Sequence, residues 1–89
     1  MPKVVFAHAV GDVESWLTFK QERADAIGAM GGSNVTDLVA ADGSKTVVVT
    51  ADIQDVAAMT AEMASPSPEL AAAIERHGAI QPIAIYIEG

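Results

Sequence analysis

Hydrophobic residues alternate with a strand period over the first ten positions and then change to a helical period. Lys3 to Val10 is rich in Val and Phe and is closed by Gly11, which predicts a first strand. Asp12 follows at the position of an N-cap, where its carboxylate accepts hydrogen bonds from free amides of the first turn. From Val13 onward apolar residues recur on one face of a helix that Gly31-Gly32 ends. That face comprises Val13, Trp16, Leu17, Ala24 and Ile27.

The middle of the chain predicts two strands followed by a second helix. Val35 to Ala41 is the next strand, and Asp42-Gly43 is a dipeptide typical of hairpin turns. Thr46 to Thr50 is rich in β-branched residues and predicts the third strand. Asp52 is predicted to cap the second helix, with Asp55 three residues later. The buried stripe of this helix would comprise Ile53, Val56, Met59 and Met63.

The last third of the chain predicts a short extra helix and a final strand. The sequence Ser65-Pro66-Ser67-Pro68 interrupts the second helix. Ser67 is then an N-cap, and Pro68 stands at the first helical position, where a missing N–H costs nothing. His77-Gly78 ends this helix, so His77 is interpreted as a structural residue favoured by the helix dipole. Ile80 to Glu88 is the final strand, with Pro82 near its start.

The order β-α-β-β-α-(α)-β predicts a ferredoxin-like βαββαβ fold of the α+β class, with residues 1–89 as one domain. Two right-handed βαβ units joined by a hairpin give a four-stranded antiparallel sheet with its helices on one face. The segments 47–49 and 83–85 are apolar on both sides of their strands, so both faces of the sheet should be covered. A second copy of the chain is predicted to cover the other face, giving a homodimer that supplements a thin core.

Composition and charge narrow the classes of function. The chain has 89 residues and no cysteine, which excludes disulfides and thiolate chemistry. Its net charge is −7 and its five basic residues are scattered, which predicts neither nucleic acid nor a membrane surface as a partner. No apolar run is long enough to span a bilayer and no signal-peptide core precedes the first strand, so we expect a cytoplasmic protein. Neither a metal-ligand spacing nor a phosphate-binding glycine motif is present, and no cofactor is predicted.

Residues spread along the whole chain carry a family resemblance. They are His8, Val10, Asp12, Trp16, Arg23, Gly28, Asp52, the sequence Ser67-Pro68-Glu69-Leu70, Gly78 and Pro82. In their order and spacing the sequence resembles the dimeric α+β barrel superfamily, especially its short members near stress-responsive barrels and antibiotic-biosynthesis monooxygenases. At one position the sequence departs from this pattern, because Lys20 stands where an apolar residue is expected.

The resemblance implies a homodimer with a pocket between sheet and helices in each subunit. It leaves the reaction open, because members of the superfamily include cofactor-free monooxygenases, polyketide cyclases, a lactone isomerase, haem enzymes and proteins without a known reaction. The ligand histidine of the haem-binding branches has no counterpart in this sequence.

His8 and Tyr86 are the candidates for catalytic residues. His8 shares the strand parity of Val4 and Phe6, so it points toward a covered, apolar face where Phe6 would be a substrate-binding wall. A neutral imidazole there could act as a general base toward an acidic C–H or a phenol. The alternative is a histidine held by backbone or by the partner subunit. Tyr86 would either pair with His8 in catalysis or be a wall or interface residue. A register that places residues 8 and 83 opposite each other separates His8 from Tyr86 by ~10 Å, which favours the wall or interface role.

Three residues of the first helix are candidates for substrate binding. Trp16 would be a stacking floor for a flat aromatic molecule or the main anchor of the core. Lys20 falls on the apolar arc, where a buried ammonium would act as a base or bind an anion, unless its head reaches water. Arg23 could bind a substrate carboxylate through two hydrogen bonds, or pair with Glu22, Asp25 or a residue of the partner subunit.

Two classes of function follow. In the first, the protein is a cofactor-independent monooxygenase, cyclase or isomerase for a small aromatic or polyketide-like compound, with His8 moving a proton and Tyr86 or Lys20 stabilising an oxyanion. In the second, it is a non-catalytic, stress-related or ligand-binding homodimer. The first class requires a pocket of ~300 Å³ or more with His8 accessible inside it. The second predicts a filled interior with His8 bound by protein groups.

Overall fold

In the computed structural model, which describes residues 1–89, the four strands follow the predicted order, and there are four helices where three were predicted. The strands form one antiparallel sheet in the order β2-β3-β1-β4. This confirms the ferredoxin-like α+β fold. The elements are β1 (Lys3–Val10), α1 (Val13–Thr18), α2 (Lys20–Ala29), β2 (Gly32–Val39), β3 (Thr46–Ile53), α3 (Val56–Ala64), α4 (Pro68–Arg76) and β4 (Ala79–Ile87).

The two faces of the sheet differ in burial, as strand alternation requires. On β1 the even-numbered residues from Val4 to Val10 are buried, whereas the odd-numbered residues from Val5 to Ala9 are partly or fully exposed. The buried side chains of β3 lie on the same face as those of β1 and pack with residues of the helices. This core contains Val4, Phe6, Val10, Trp16, Ile27, Val47, Val49, Ala51, Ile53 and Met59. The opposite face, called here the open face, is not covered by any helix of the chain.

The predicted first helix is two helices that meet at Phe19. Asp12 caps α1 as predicted, accepting from the amides of Glu14 and Ser15 at 3.0 and 3.3 Å. Phe19 interrupts the helix with φ −94° and ψ 14°. The break changes the helical phase, so a face calculated at a constant 100° per residue does not extend across it. Leu17, predicted to be on the buried face, is 38% exposed although it precedes the break, because it lies about 100° around α1 from the buried Trp16.

The predicted cap of the second helix was wrong by three residues. Asp52 lies within β3, opposite Lys3 of β1, and its neighbour Ile53 is a fully buried strand residue. Asp55 is the N-cap of α3, with its carboxylate accepting from the Ala58 amide at 3.0 Å. The strand continues this far because the Ile53 amide donates to the Pro2 carbonyl at 3.0 Å. The boundary between β3 and α3 was decided by the pairing of two strands that are distant in sequence, which no local pattern indicates.

Other local signals are confirmed. Gly31 has φ +84°, and a Cβ on Gly32 would lie 2.9 Å from the Ile27 carbonyl oxygen, so the turn from α2 into β2 requires both glycines. Ser67 caps α4 by accepting from the Leu70 amide at 3.2 Å, and Gly78 ends that helix region with φ +78°. β2 begins at Gly32, three residues before its predicted start.

Candidate functional site

A small cavity lies between the buried face of the sheet and the helices. Its volume is about 80 Å³, and 12 of its 15 lining residues are hydrophobic. The three polar residues of its wall are His8, Arg23 and His77. Phe6 and Trp16 belong to the same wall, so the fold brings together four of the six predicted site residues.

His8 presents one free ring nitrogen. Its Nδ1 lies 3.0 Å from the Ala9 carbonyl oxygen, and because a carbonyl can only accept, Nδ1 carries the proton. Nε2 is then unprotonated in the neutral ring, and it makes no hydrogen bond to the protein. The residue is only 9% exposed, and its ring meets Trp16 edge to face with centroids 6.2 Å apart. The arrangement gives a proton acceptor in an apolar wall.

Trp16 is both the anchor of the core and a wall of the cavity. It is completely buried, and its indole N–H has no hydrogen-bond partner. The guanidinium carbon of Arg23 lies 3.9 Å from the centre of its ring, within the range of a cation–π contact. Burial of a full indole makes Trp16 a large contributor to the core.

Arg23 is tied to the protein through all three of its nitrogens. Nε and Nη2 donate to the two carboxylate oxygens of Asp37, each at 3.2 Å, and Nη2 also donates to the Trp16 carbonyl at 3.1 Å. Nη1 donates to His77 Nδ1 at 3.3 Å. The ion-pair partner is therefore Asp37, instead of the predicted Glu22 or Asp25. Asp37 lies on β2, and only the fold brings it beside α2.

His77 is the cavity residue whose position the sequence did not indicate. Its ring stacks on Phe19 with centroids 4.8 Å apart, and its Nε2 lies 3.4 Å from a carboxylate oxygen of Glu22. Arg23 donates to Nδ1, which fixes the neutral tautomer with its proton on Nε2. Burial lowers the pKa of His77, and the charges of Arg23 and Arg76 lower it further, while Glu22 opposes them. A histidine at a helix end carried no signal for this tertiary role.

We expect His77 to make stability depend on pH. The unfolded chain binds a proton at His77 below about pH 6.5, whereas the folded protein, with its lowered pKa, does not yet bind one. The free energy of unfolding should therefore rise with pH through this window, by at most about 1.4 kcal/mol per pH unit. Urea denaturation at about pH 5.5 and about pH 7.5 measures the slope. His77→Gln should reduce it, and a stability that falls as the pH rises would contradict the neutral tautomer.

Lys20 and Tyr86 lie outside the cavity. Lys20 is exposed at the first position of α2, because the break at Phe19 removes it from the apolar arc. Tyr86 is 61% exposed and pairs with Val5 across β1 and β4, which places it on the open face. His8 has the opposite strand parity, so the structure does not bring His8 and Tyr86 together.

Comparison with solved structures supports the fold over the whole chain. A structure of an antibiotic biosynthesis monooxygenase is 14% identical, with a TM-score of 0.64, over 100% of this chain and 97% of that one. SnoaB from Streptomyces nogalater, a cofactor-independent oxygenase solved as a variant, is 20% identical, with a TM-score of 0.60, over 96% and 89% of the two chains. Rv0793 from Mycobacterium tuberculosis is 16% identical, with a TM-score of 0.61, over 100% and 94%.

These similarities define the class of fold, the ferredoxin-like α+β fold of antibiotic-biosynthesis-monooxygenase-like proteins, and confirm the predicted resemblance at that level. No family model matches the sequence, and no curated protein matches it either. None of the helices is long and apolar enough to span a membrane. No group of three or more His, Asp or Glu side chains is placed to hold a metal ion.

Proposed function

We propose that the protein binds a small aromatic compound with an acidic hydroxyl or C–H group, and acts on it without a cofactor as a monooxygenase, cyclase or isomerase. The unpaired Nε2 of His8 in a mostly apolar cavity wall carries this proposal. A group of this kind accepts a proton from a bound phenol or activated methylene. The likeness to SnoaB, a cofactor-independent oxygenase, favours the oxygenase over the other two reactions.

The surroundings of His8 suit it to proton transfer. The Ala9 carbonyl that accepts from Nδ1 holds the ring in the tautomer that leaves Nε2 free, and it also stabilises the imidazolium formed after proton uptake. In an oxygenase reaction, the resulting carbanion would react with dioxygen. A methylene would become a carbonyl, one oxygen atom would leave as water, and the substrate itself would supply the electrons. His8 would return its proton to that water.

The proposal is tested by His8→Gln, which retains a polar side chain but has no basic nitrogen. Oxygen consumption and product formation are measured with a panel of phenols, naphthols and activated aryl methylenes. If His8 is the base, the rate with an accepted substrate should fall by about 100-fold or more. Ser44→Ala, in the exposed loop between β2 and β3, is the control and should retain the rate. An accepted substrate that turns over equally in both variants would exclude His8 as the base.

A second candidate function is a non-catalytic ligand-binding homodimer. The observation that favours it is the size of the cavity, because about 80 Å³ is well below the ~300 Å³ typical of sites for drug-sized ligands. In this function the cavity would hold a small apolar molecule, and His8 would bind its hydroxyl without removing the proton. Binding of phenols without oxygen consumption or isomerised product would support this candidate.

We also propose that the protein is a homodimer joined through the open face. Four apolar residues of this face, Val5, Ala7, Val48 and Ala84, are only partly buried. Tyr86 and Leu38, on the same face, are 61% and 50% exposed. Only 14 of the 89 residues are buried in one subunit, so covering this face would add substantially to the core. Light scattering at micromolar concentration tests the proposal, and a monomer would contradict it.

A further inference from the structure

A surface groove runs beside the cavity, between α2 and the pair α3 and α4. Its volume is about 750 Å³, which is within the ~300–1,000 Å³ range of ligand sites. The groove and the cavity share four wall residues, Ala26, Met30, Leu70 and Ala73. The two spaces are therefore separated at this place only by side chains of α2 and α4 and the turn after α2.

Two of these residues are suited to open and close the passage. Met30 and Leu70 are partly buried and have long, apolar side chains, which can change rotamer without breaking a hydrogen bond. Ala26 and Ala73 are too small to fill the seam once Met30 and Leu70 move. Rotation of two side chains would join the cavity to the groove. We refer to Met30 and Leu70 as the gate.

The rim of the groove is acidic. Its charged residues are Glu22, Asp25, Glu62, Glu69 and Arg76, and Arg76 is already paired with Glu22. Glu62 accepts from the Ser67 amide at 3.1 Å, and Asp25 accepts from the side chain of Gln21 at 3.0 Å. Carboxylates accept hydrogen bonds and attract cations, and each retains further acceptor capacity. A ligand group in the groove should therefore be positively charged and should donate hydrogen bonds.

We infer that the cavity and the groove form one two-part ligand site, which binds a phenol with an alkylammonium tail, the ring lying beside His8 and the ammonium at the groove. This inference rests on the proposed function and names its ligand class. It accounts for a cavity that is too small for a substrate while His8 Nε2, in a side chain about nine-tenths buried, has no partner. The gate admits the ring to the cavity. The carboxylates of Asp25, Glu62 and Glu69, which have no basic partner, select a positive charge on the rest of the ligand.

Three phenols that differ in their tails test the charge preference. The probes are phenol, tyramine with an ammonium tail, and p-hydroxyphenylpropionate with a carboxylate tail. Trp16 is the only tryptophan and lines the cavity, so its fluorescence reports binding of the ring. At low salt, tyramine should bind about tenfold more tightly than p-hydroxyphenylpropionate, and the ratio should fall as salt is added. Glu69→Gln should reduce the preference, whereas Glu75→Gln, on the same helix but outside the groove, should retain it.

Variants of the gate test the route. Leu70→Trp should slow tyramine binding by about tenfold or more, and Leu70→Ala should accelerate it, as stopped-flow fluorescence measures. If Leu70→Trp does not fold, Ala26→Leu fills the same seam from α2. Binding of phenol and tyramine with equal affinity, or at an unchanged rate in the gate variants, would overturn this inference and leave the proposed function standing. Failure of every probe to bind, even to Leu70→Ala, would overturn both.

Discussion

Asp37→Ala is expected to lower the free energy of unfolding by about 3–5 kcal/mol. The side chains of Asp37 and Arg23 are only 1% and 8% exposed, and they are joined by two hydrogen bonds of 3.2 Å. Removing the carboxylate leaves a guanidinium that is buried among Trp16 and His77 without a counter-ion. A small domain has a total stability of roughly 5–15 kcal/mol, so this loss is a large part of it.

The control for Asp37 is Asp25→Ala. Asp25 is an exposed acid on the same helix as Arg23, and it bonds only to the side chain of Gln21. Its removal should change the free energy of unfolding by less than about 0.5 kcal/mol. Urea denaturation followed by Trp16 fluorescence measures both variants. Equal losses of unfolding free energy in the two variants would show that the pairing of Asp37 with Arg23 adds no stability. A loss below about 1 kcal/mol for Asp37→Ala would show that the Arg23 guanidinium binds water or another partner in its place.

Val48→Asp is expected to dissociate the proposed homodimer. Val48 lies at the middle of the open face, because β3 is an interior strand and Val48 pairs with Ala7 on one side and Leu38 on the other. Burying a carboxylate in an apolar interface costs several kcal/mol in each subunit. The dissociation constant should rise by about 1,000-fold or more, which converts dimer to monomer at micromolar concentration.

The matched control is Val39→Asp, the same substitution on the edge strand. Val39 pairs with Val47, so it is on the helix side of the sheet, where it is 49% exposed. This variant should remain dimeric in light scattering and in sedimentation. Dissociation of both variants would indicate a general loss of structure, which circular dichroism detects. Dimers in both would show that the open face is not the interface.

Much of the fold is determined by signals that act within a few residues. Asp12, Ser67-Pro68 and Gly31 are recognisable because a cap or a positive φ depends on the chemistry of one residue and its immediate neighbours. The alternation of β1 likewise indicates which side chains face the core, and it correctly predicts that Phe6 and His8 lie on the buried face. The ferredoxin-like order of elements follows from these local signals.

Local signals fail where two signals compete or where a helix changes direction. Asp52 and Asp55 are both acceptable caps, and the pairing of β3 with β1, which needs the fold, selects Asp55. The break at Phe19 shifts the helical phase, which exposes Lys20 and separates it from the cavity. Neither outcome can be read from periodicity, because strand pairing joins distant residues and a constant period does not hold across a helix break.

The sequence by itself determined the fold class and the buried position of Phe6 and His8. The tertiary structure alone decided which side chains meet around the cavity. It paired Arg23 with Asp37, placed His77 in the cavity wall, and put Tyr86 on the face opposite His8 through the register of β1 and β4. The physical reason is that caps and alternation are short-range properties, whereas ion pairs, cavities and strand register join residues that are distant along the chain and depend on how whole elements pack.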